Sequence, residues 1–181
     1  MAFYGASDLA DSLRTVRKNT IRIAEDIPEA QYGFRPAPET RSVGLLLVHI
    51  ALGPRFQQQI HAIEKRTTLE GFNFPALMQT LTQEEQRPRT KAQIIEMLTR
   101  DGKAWADWVE GQSDAFLAER VAMPPGVTPA SKSRFEMLLS TKEHEMHHRG
   151  QLMLIERLIG VVPHLTRDMQ ARMAAAQTAW R

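Results

Sequence analysis

His144 and His148 stand four residues apart in the run His144-Glu145-Met146-His147-His148-Arg149-Gly150-Gln151. In a helix, at ~100° per residue, that spacing puts both imidazoles on one face, a turn apart, where they can reach a single metal ion. The residues sharing that face, Met137, Thr141, Gln151 and Ile155, are apolar or uncharged, whereas idle histidines usually lie among charges. Two imidazoles on a half-buried face are costly to protonate and awkward to hydrogen-bond, so ligation is the better reading than a structural pair. His147 points ~60° from His144 on the side away from His148 and is not read as a ligand.

Composition limits what such a site can be. The chain has no cysteine, which excludes disulfides and thiolate ligands and leaves His, Asp, Glu and water. Any thiol chemistry must use a thiol brought in as substrate. The net charge is +2 with scattered basic residues, so no nucleic-acid partner is expected. The N-terminal residues lack a basic region followed by an apolar one, and no run approaches the ~20 apolar residues of a membrane span. A cytoplasmic protein with no membrane partner is expected. A chain of 181 residues, 43% of them apolar, can bury one core, and residues 1–181 read as one domain.

The elements that must position the histidines are helices. Leu9, Leu13, Val16, Thr20, Ile23 and Ile27, spaced alternately four and three, form one helix face that Pro28 closes. Ser42 is a candidate cap for a second helix whose face is Leu45, Leu46, His49, Leu52, Phe56 and Ile60. Pro54, directly after Gly53, cannot donate to Ile50, which predicts a kink one turn beyond His49. Residues 66–89 read as a long connection with one turn of helix near Phe74 to Leu77. Thr90 and Gln93 form a capping box ahead of Ile94, Met97, Leu98, Trp105 and Trp108, and Gly111 ends that third helix. A fourth helix is expected from about Ser131 to Leu158 or Ile159, with Gly160 as its stop. A final segment from Thr166 to Trp180, with Leu165, Met169, Met173, Ala176 and Trp180 in one row, reads as a helix packed outside the main core. No strand pattern of useful length appears. The class is all-α: a four-helix bundle with a long connection and an additional C-terminal helix.

Bundles build metal sites from facing helices, and His49 supplies a third imidazole on an apolar face. Three histidines with an open position are the arrangement of a reactive site rather than a closed structural one. A divalent cation, zinc or nickel, would act there as a Lewis acid, lowering the pKa of a bound water or incoming thiol. A small-molecule substrate is expected to enter between helices, bordered by the 66–89 connection and the Met123–Thr128 loop. The alternative is a non-catalytic bundle in which a metal ties the second and fourth helices together or the protein serves as a dimeric binding module. His144 to His148 also matches His-Glu-x-x-His of zinc peptidases, with Glu145 as general base. That pattern is short, and positions 151 and 154 are Gln and Leu where the longer metzincin pattern wants Gly and His. Glu145 is a candidate to hydrogen-bond a histidine or to move a proton; the alternative is a solvated carboxylate. Asp101 falls between Met97 and Trp105 on an apolar face, so it either pairs with a buried partner, orients a ligand histidine, or is exposed on a helix rotated from this reading.

Arg35-Pro36, the run Ser42-Val43-Gly44-Leu45-Leu46-Leu47-Val48-His49-Ile50, and His148-Arg149-Gly150-Gln151 together resemble the DinB-like, or DinB/YfiT-like, metalloenzymes. Helix order and connection lengths agree over about residues 6–160, leaving about 161–181 as a helical extension. The resemblance implies an up-down-down-up bundle, a divalent metal held by His49, His144 and His148, and a homodimer. It also implies thiol-dependent chemistry on a small molecule, such as S-transfer or a related isomerisation or hydrolysis, with a low-molecular-weight thiol as partner. Gly53-Pro54 departs from the family's smoother second helix.

Overall fold

The computed structural model describes residues 4–179. Helix α1 (Ala6–Asp26) buries Leu9, Leu13, Val16, Thr20 and Ile23 along the predicted row, and the chain turns extended at Ile27 ahead of Pro28. Helix α2 (Val43–Leu52) begins at Ser42, whose Oγ accepts from the Leu45 N–H. It is apolar nearly all round and correspondingly buried, because other helices cover it on several sides. Pro54 ends it as expected: a short α3 (Pro54–Gln58) follows, then a π turn over Gln59–Ile63. Helix α5 (Lys91–Glu110) has the Thr90–Gln93 capping box and stops at Gly111. Helix α7 (Arg134–Leu158) is capped by Ser133 and gives way at Gly160, whose φ of +83° suits glycine.

Contacts fix the direction of each helix. Arg14 of α1 reaches Asp107 and Glu110 of α5, while Lys91 at the start of α5 reaches the carbonyls of Glu25 and Ile27, so these helices run antiparallel. Leu9, Ala10 and Leu13 share a cluster with Leu138, and Ile23 and Ala24 share another with Leu152 and Ile155, so α1 and α7 are parallel. Gln57 beside Ser140 and His49 beside His144 set α2 and α3 antiparallel to α7. The order is therefore up, down, down, up, and the two successive parallel helices, α2 and α5, require a long crossover.

That crossover is more regular than the sequence suggested. Residues Phe74–Glu85 form a three-turn helix, α4, rather than one turn near Phe74 to Leu77. Asn73 caps it through the Ala76 N–H, Pro75 sits in its first turn, and the polar residues Gln83, Glu84, Glu85 and Gln86 are good helix formers. After α6 (Asp114–Ala118), a two-stranded antiparallel ribbon joins β1 (Arg120–Ala122) to β2 (Ser131–Ser133), three residues each and too short to show a period. The C-terminal helix α8 (His164–Ala179) exists, but it does not pack along its length as expected. Met169 and Met173 are 57% and 58% exposed, and Trp180 lies outside the described residues. Its first turns are tied to α1 through His164 to Asn19 and Arg167 to Asp26 at 2.6 Å. No helix among the described residues is long and apolar enough to cross a membrane.

Two buried charges organise the interior. Arg17 of α1 lies across the bundle and grips Glu145 of α7 with Nε at 2.9 and 3.1 Å and Nη2 at 2.9 Å. Two further N–H groups go to the carbonyl of Leu98 on α5 and to that of Ile50, the acceptor that Pro54 cannot serve. Gly102 makes room, since a Cβ there would lie 2.7 Å from Arg17 Cγ. Glu156, fully buried on α7, has no hydrogen-bond partner on either oxygen. Burial, then Asp26, pushes its carboxyl up to about 7. In the unfolded chain it ionises near pH 4.5, so the folded protein holds an extra proton between about 4.5 and 7. The penalty for burying its charge is absent below that window, grows across it and is complete above it. Glu156→Gln is expected to stabilise the protein by up to ~3 kcal/mol at pH 8 and by little at pH 4.5. Urea unfolding of both proteins at the two pH values checks this; an equal gain at both would refute the assignment.

Candidate metal centre

His49 reaches the middle of the bundle from α2, and His144 and His148 meet it from successive turns of α7. The Nε2 atoms of His49 and His144 are 3.0 Å apart, those of His144 and His148 are 3.2 Å apart, and all three lie within 4.8 Å of one another. The far side of each outer ring is engaged. Glu85 on the last turn of α4 accepts from His49 Nδ1 at 2.9 Å. Gln151 Oε1 accepts from His148 Nδ1 at 2.8 Å, while the Gln151 amide nitrogen donates to His147 at 3.1 Å. A neutral imidazole protonated on Nδ1 has its lone pair on Nε2. His49 and His148 therefore both aim lone pairs at His144 Nε2, an arrangement that a shared cation satisfies and that a ring of hydrogen bonds satisfies poorly.

The charge state agrees. Burial, followed by the neighbouring His148 and His49, pushes His144 down to about 4, and burial also lowers His49 and His148. All three are neutral at pH 7, the form that binds metals. The 3.0 and 3.2 Å edges at His144 are of the length that two imidazole nitrogens sharing one cation at ~2.0–2.1 Å would span. These three histidines form a group that could hold a metal ion.

Gly53 is part of the arrangement. A Cβ at this position would lie 3.0 Å from His144 Nδ1 and 3.2 Å from its Cε1, tighter than ordinary van der Waals contact, so the ring would have to give by a few tenths of an ångström. The Gly53–Pro54 break thus supplies the space into which the His144 ring turns.

The other residues singled out in the sequence lie elsewhere. Glu145 faces Arg17 in the bundle interior, 4% exposed, and its carboxylate is not free to activate water or move a proton. Asp101 pairs with Arg100 at 2.7 Å and with Arg55 at 3.5 Å, not with a histidine. The carboxylate beside the histidines is Glu85, also bonded to Arg41 Nε at 2.7 Å. Sequence reasoning missed it by taking residues 82–86 for a connection. The row Met78, Leu81, Thr82, Glu85 at three- and four-residue steps was the signal.

Two cavities meet at the histidines. One of about 380 Å³ is walled by Leu52, Phe56, Met78 and Leu81 and reaches His49 and His144. The other, about 650 Å³, is bordered by Arg35, Glu39, Arg41 and Gln151 and reaches His148. Arg41, Thr82 and Glu85 line both. The walls come from α4 and the 35–41 loop; the Met123–Thr128 loop, expected at the entrance, lines neither.

The family model of the DinB superfamily matches residues 12–152. Among solved structures, a DinB-like protein from Bacillus subtilis superposes with a TM-score of 0.59 at 16% identity, covering 84% of this chain and 91% of that one. A protein from Exiguobacterium sibiricum assigned to the DinB family gives 0.59 at 21% identity, with 88% and 95% covered. An uncharacterised protein from Clostridium difficile gives 0.64 at 12% identity, with 88% and 99% covered. At these identities the likeness is one of fold. No curated protein matches the chain in sequence.

Proposed function

The chain belongs to the DinB superfamily, and from that membership together with the converging imidazoles we propose that it is a divalent-metal-dependent enzyme that transfers a group to or from a low-molecular-weight thiol. His49, His144 and His148 are the ligands in this reading, and zinc or nickel the metal. The observation that carries it is the pair of cavities meeting at the three histidines, one walled mainly by Leu52, Phe56, Met78 and Leu81 and the other bordered by Arg35 and Glu39, with Arg41 and Glu85 between them. A hydrolase needs one organic substrate and water, whereas two cavities of unlike lining suit a reaction between two organic molecules. A bound divalent cation would supply Lewis-acid polarisation and favour the thiolate near neutral pH.

The chain's own residues do the rest. Glu85 and Gln151 hold two imidazoles in the tautomer that leaves Nε2 free. Arg35 and Arg41 can orient an anionic group on the thiol partner. Leu52, Phe56, Met78 and Leu81 exclude water around the other substrate. With three protein ligands the centre keeps open positions, which favours a reactive role over a purely structural one. The peptidase alternative loses its general base, because Glu145 is held by Arg17. On family grounds we further propose a cytoplasmic homodimer, and Leu154 and Leu158, exposed on α7, are available to a second copy.

Untagged protein loaded with zinc or nickel and given cysteine with monochlorobimane tests the reading. Metal-dependent formation of the fluorescent thioether, lost in the chelated protein, is expected. Rates equal with and without metal across a panel of small thiols and electrophiles would sink it.

A further inference from the structure

A chain of hydrogen bonds runs from the start of α7 to the wall of the apolar cavity, and one member fixes its direction. Arg134, buried, donates from Nη1 to His61 Nδ1 at 2.7 Å; Glu119 and the face of Phe116 hold the same guanidinium. A guanidinium only donates, so His61 Nδ1 must accept and its proton must sit on Nε2. His61, 1% exposed in the π turn, is pushed down to about 4 by burial and by Arg134, which keeps the ring neutral. Its Nε2–H then donates to Gln57 Oε1 at 3.0 Å. The Gln57 amide cannot flip without setting its N–H groups against that donor. Its nitrogen is left facing Ser140 Oγ at 3.4 Å, and Ser140 itself donates to the Met137 carbonyl at 2.6 Å.

Gln57 and Ser140 both line the mostly apolar cavity, where the charged Glu85 is already taken up by Arg41 and His49. Thr141, on the same wall, already takes the Trp105 indole N–H and donates to the Leu138 carbonyl. The Gln57 amide carries two N–H groups, and Ser140 accepts one of them. Resting on the reading of this cavity as the second substrate's site, we infer that Gln57 is its specificity-determining donor. It receives a hydrogen-bond acceptor, such as a carbonyl oxygen, on an otherwise apolar and uncharged molecule. A ligand without an acceptor leaves a buried N–H unpaired, and an ammonium there would oppose the same donor.

Matched probes of one shape test this: 4-phenylbutan-2-one, butylbenzene and protonated 4-phenylbutan-2-amine, titrated against the full chain by protein-observed NMR. The ketone is expected to bind roughly tenfold tighter than either other probe. Gln57→Glu, which keeps an acceptor for His61 and removes the donor, is expected to reduce the ketone's preference over butylbenzene to less than about twofold; Gln57→Met is expected to do the same. A ketone that binds no better than butylbenzene to the native protein, no binding of any probe, or a preference surviving both variants would overturn the inference. The ratio is read on metal-free and zinc-loaded protein without any thiol, so a failed turnover assay with the ratio intact rejects the enzymatic reading and leaves the donor standing.

Discussion

His144→Ala is expected to abolish stoichiometric metal binding, because His144 Nε2 is the atom that both other imidazoles approach. Apportioning the ~10–16 kcal/mol of a four-ligand zinc site gives ~3–4 kcal/mol per ligand, or roughly 10²–10³-fold in affinity. His49→Ala and His148→Ala should lose a similar amount. Glu85→Ala removes the acceptor that orients His49 and should cost less, ~10–100-fold. His147→Ala, which removes only the far contact of Gln151, should bind metal nearly as the native protein does. Competition against a chelator of known affinity, on protein purified without a histidine tag, separates these levels. Native-like binding by His144→Ala would reject the three-histidine centre, and so would a loss in His147→Ala as large as in His144→Ala.

Arg17→Met is expected to destabilise the fold by ~3–5 kcal/mol, because it leaves the Glu145 carboxylate buried without its counter-ion. For a chain of this size that is on the order of 10 °C in melting temperature. Arg17→Lys should recover little, since an ammonium cannot take the paired contact of Nε and Nη2 while also reaching the carbonyls of Leu98 and Ile50. Replacing the pair together, Arg17→Met with Glu145→Leu, should restore most of the loss, because the cost lies in the stranded charge. Thermal or urea unfolding of the two single variants and the double variant closes the cycle. Additive losses would show that the ion pair is not the coupling element.

The ordered parts of this fold were legible where a row of side chains repeats on one face. The α1 stripe, the capping box ahead of α5, the stop at Gly160 and the His144–His148 pair all follow from local spacing. What escaped is held by partners distant in the sequence. Arg17 sits next to Val16 on an otherwise apolar face, and nothing nearby reveals that its partner lies 128 residues away. Glu145 and Asp101 were weighed as helpers of the histidines because local spacing shows which way a side chain points and not what meets it. Helix α4 was read too short because the nearby Gly71, Pro75 and Pro88 and the polar run at 82–86 pointed to a connection, although Phe74, Leu77, Met78 and Leu81 keep helical spacing. The C-terminal row was misjudged the other way: α8 has the pattern of a packing helix, but no bundle surface covers Met169 and Met173.

The space at Gly53 has a further consequence, in the ancestry of the sequence. A step of the second helix and an imidazole far along the chain depend on each other through one absent methyl group. Glycine at position 53 and histidine at position 144 are therefore expected to change together, since a side chain gained at the first makes the ring at the second give way by a few tenths of an ångström. In a new sequence of this kind, the residue four places after the first histidine is the one to read first.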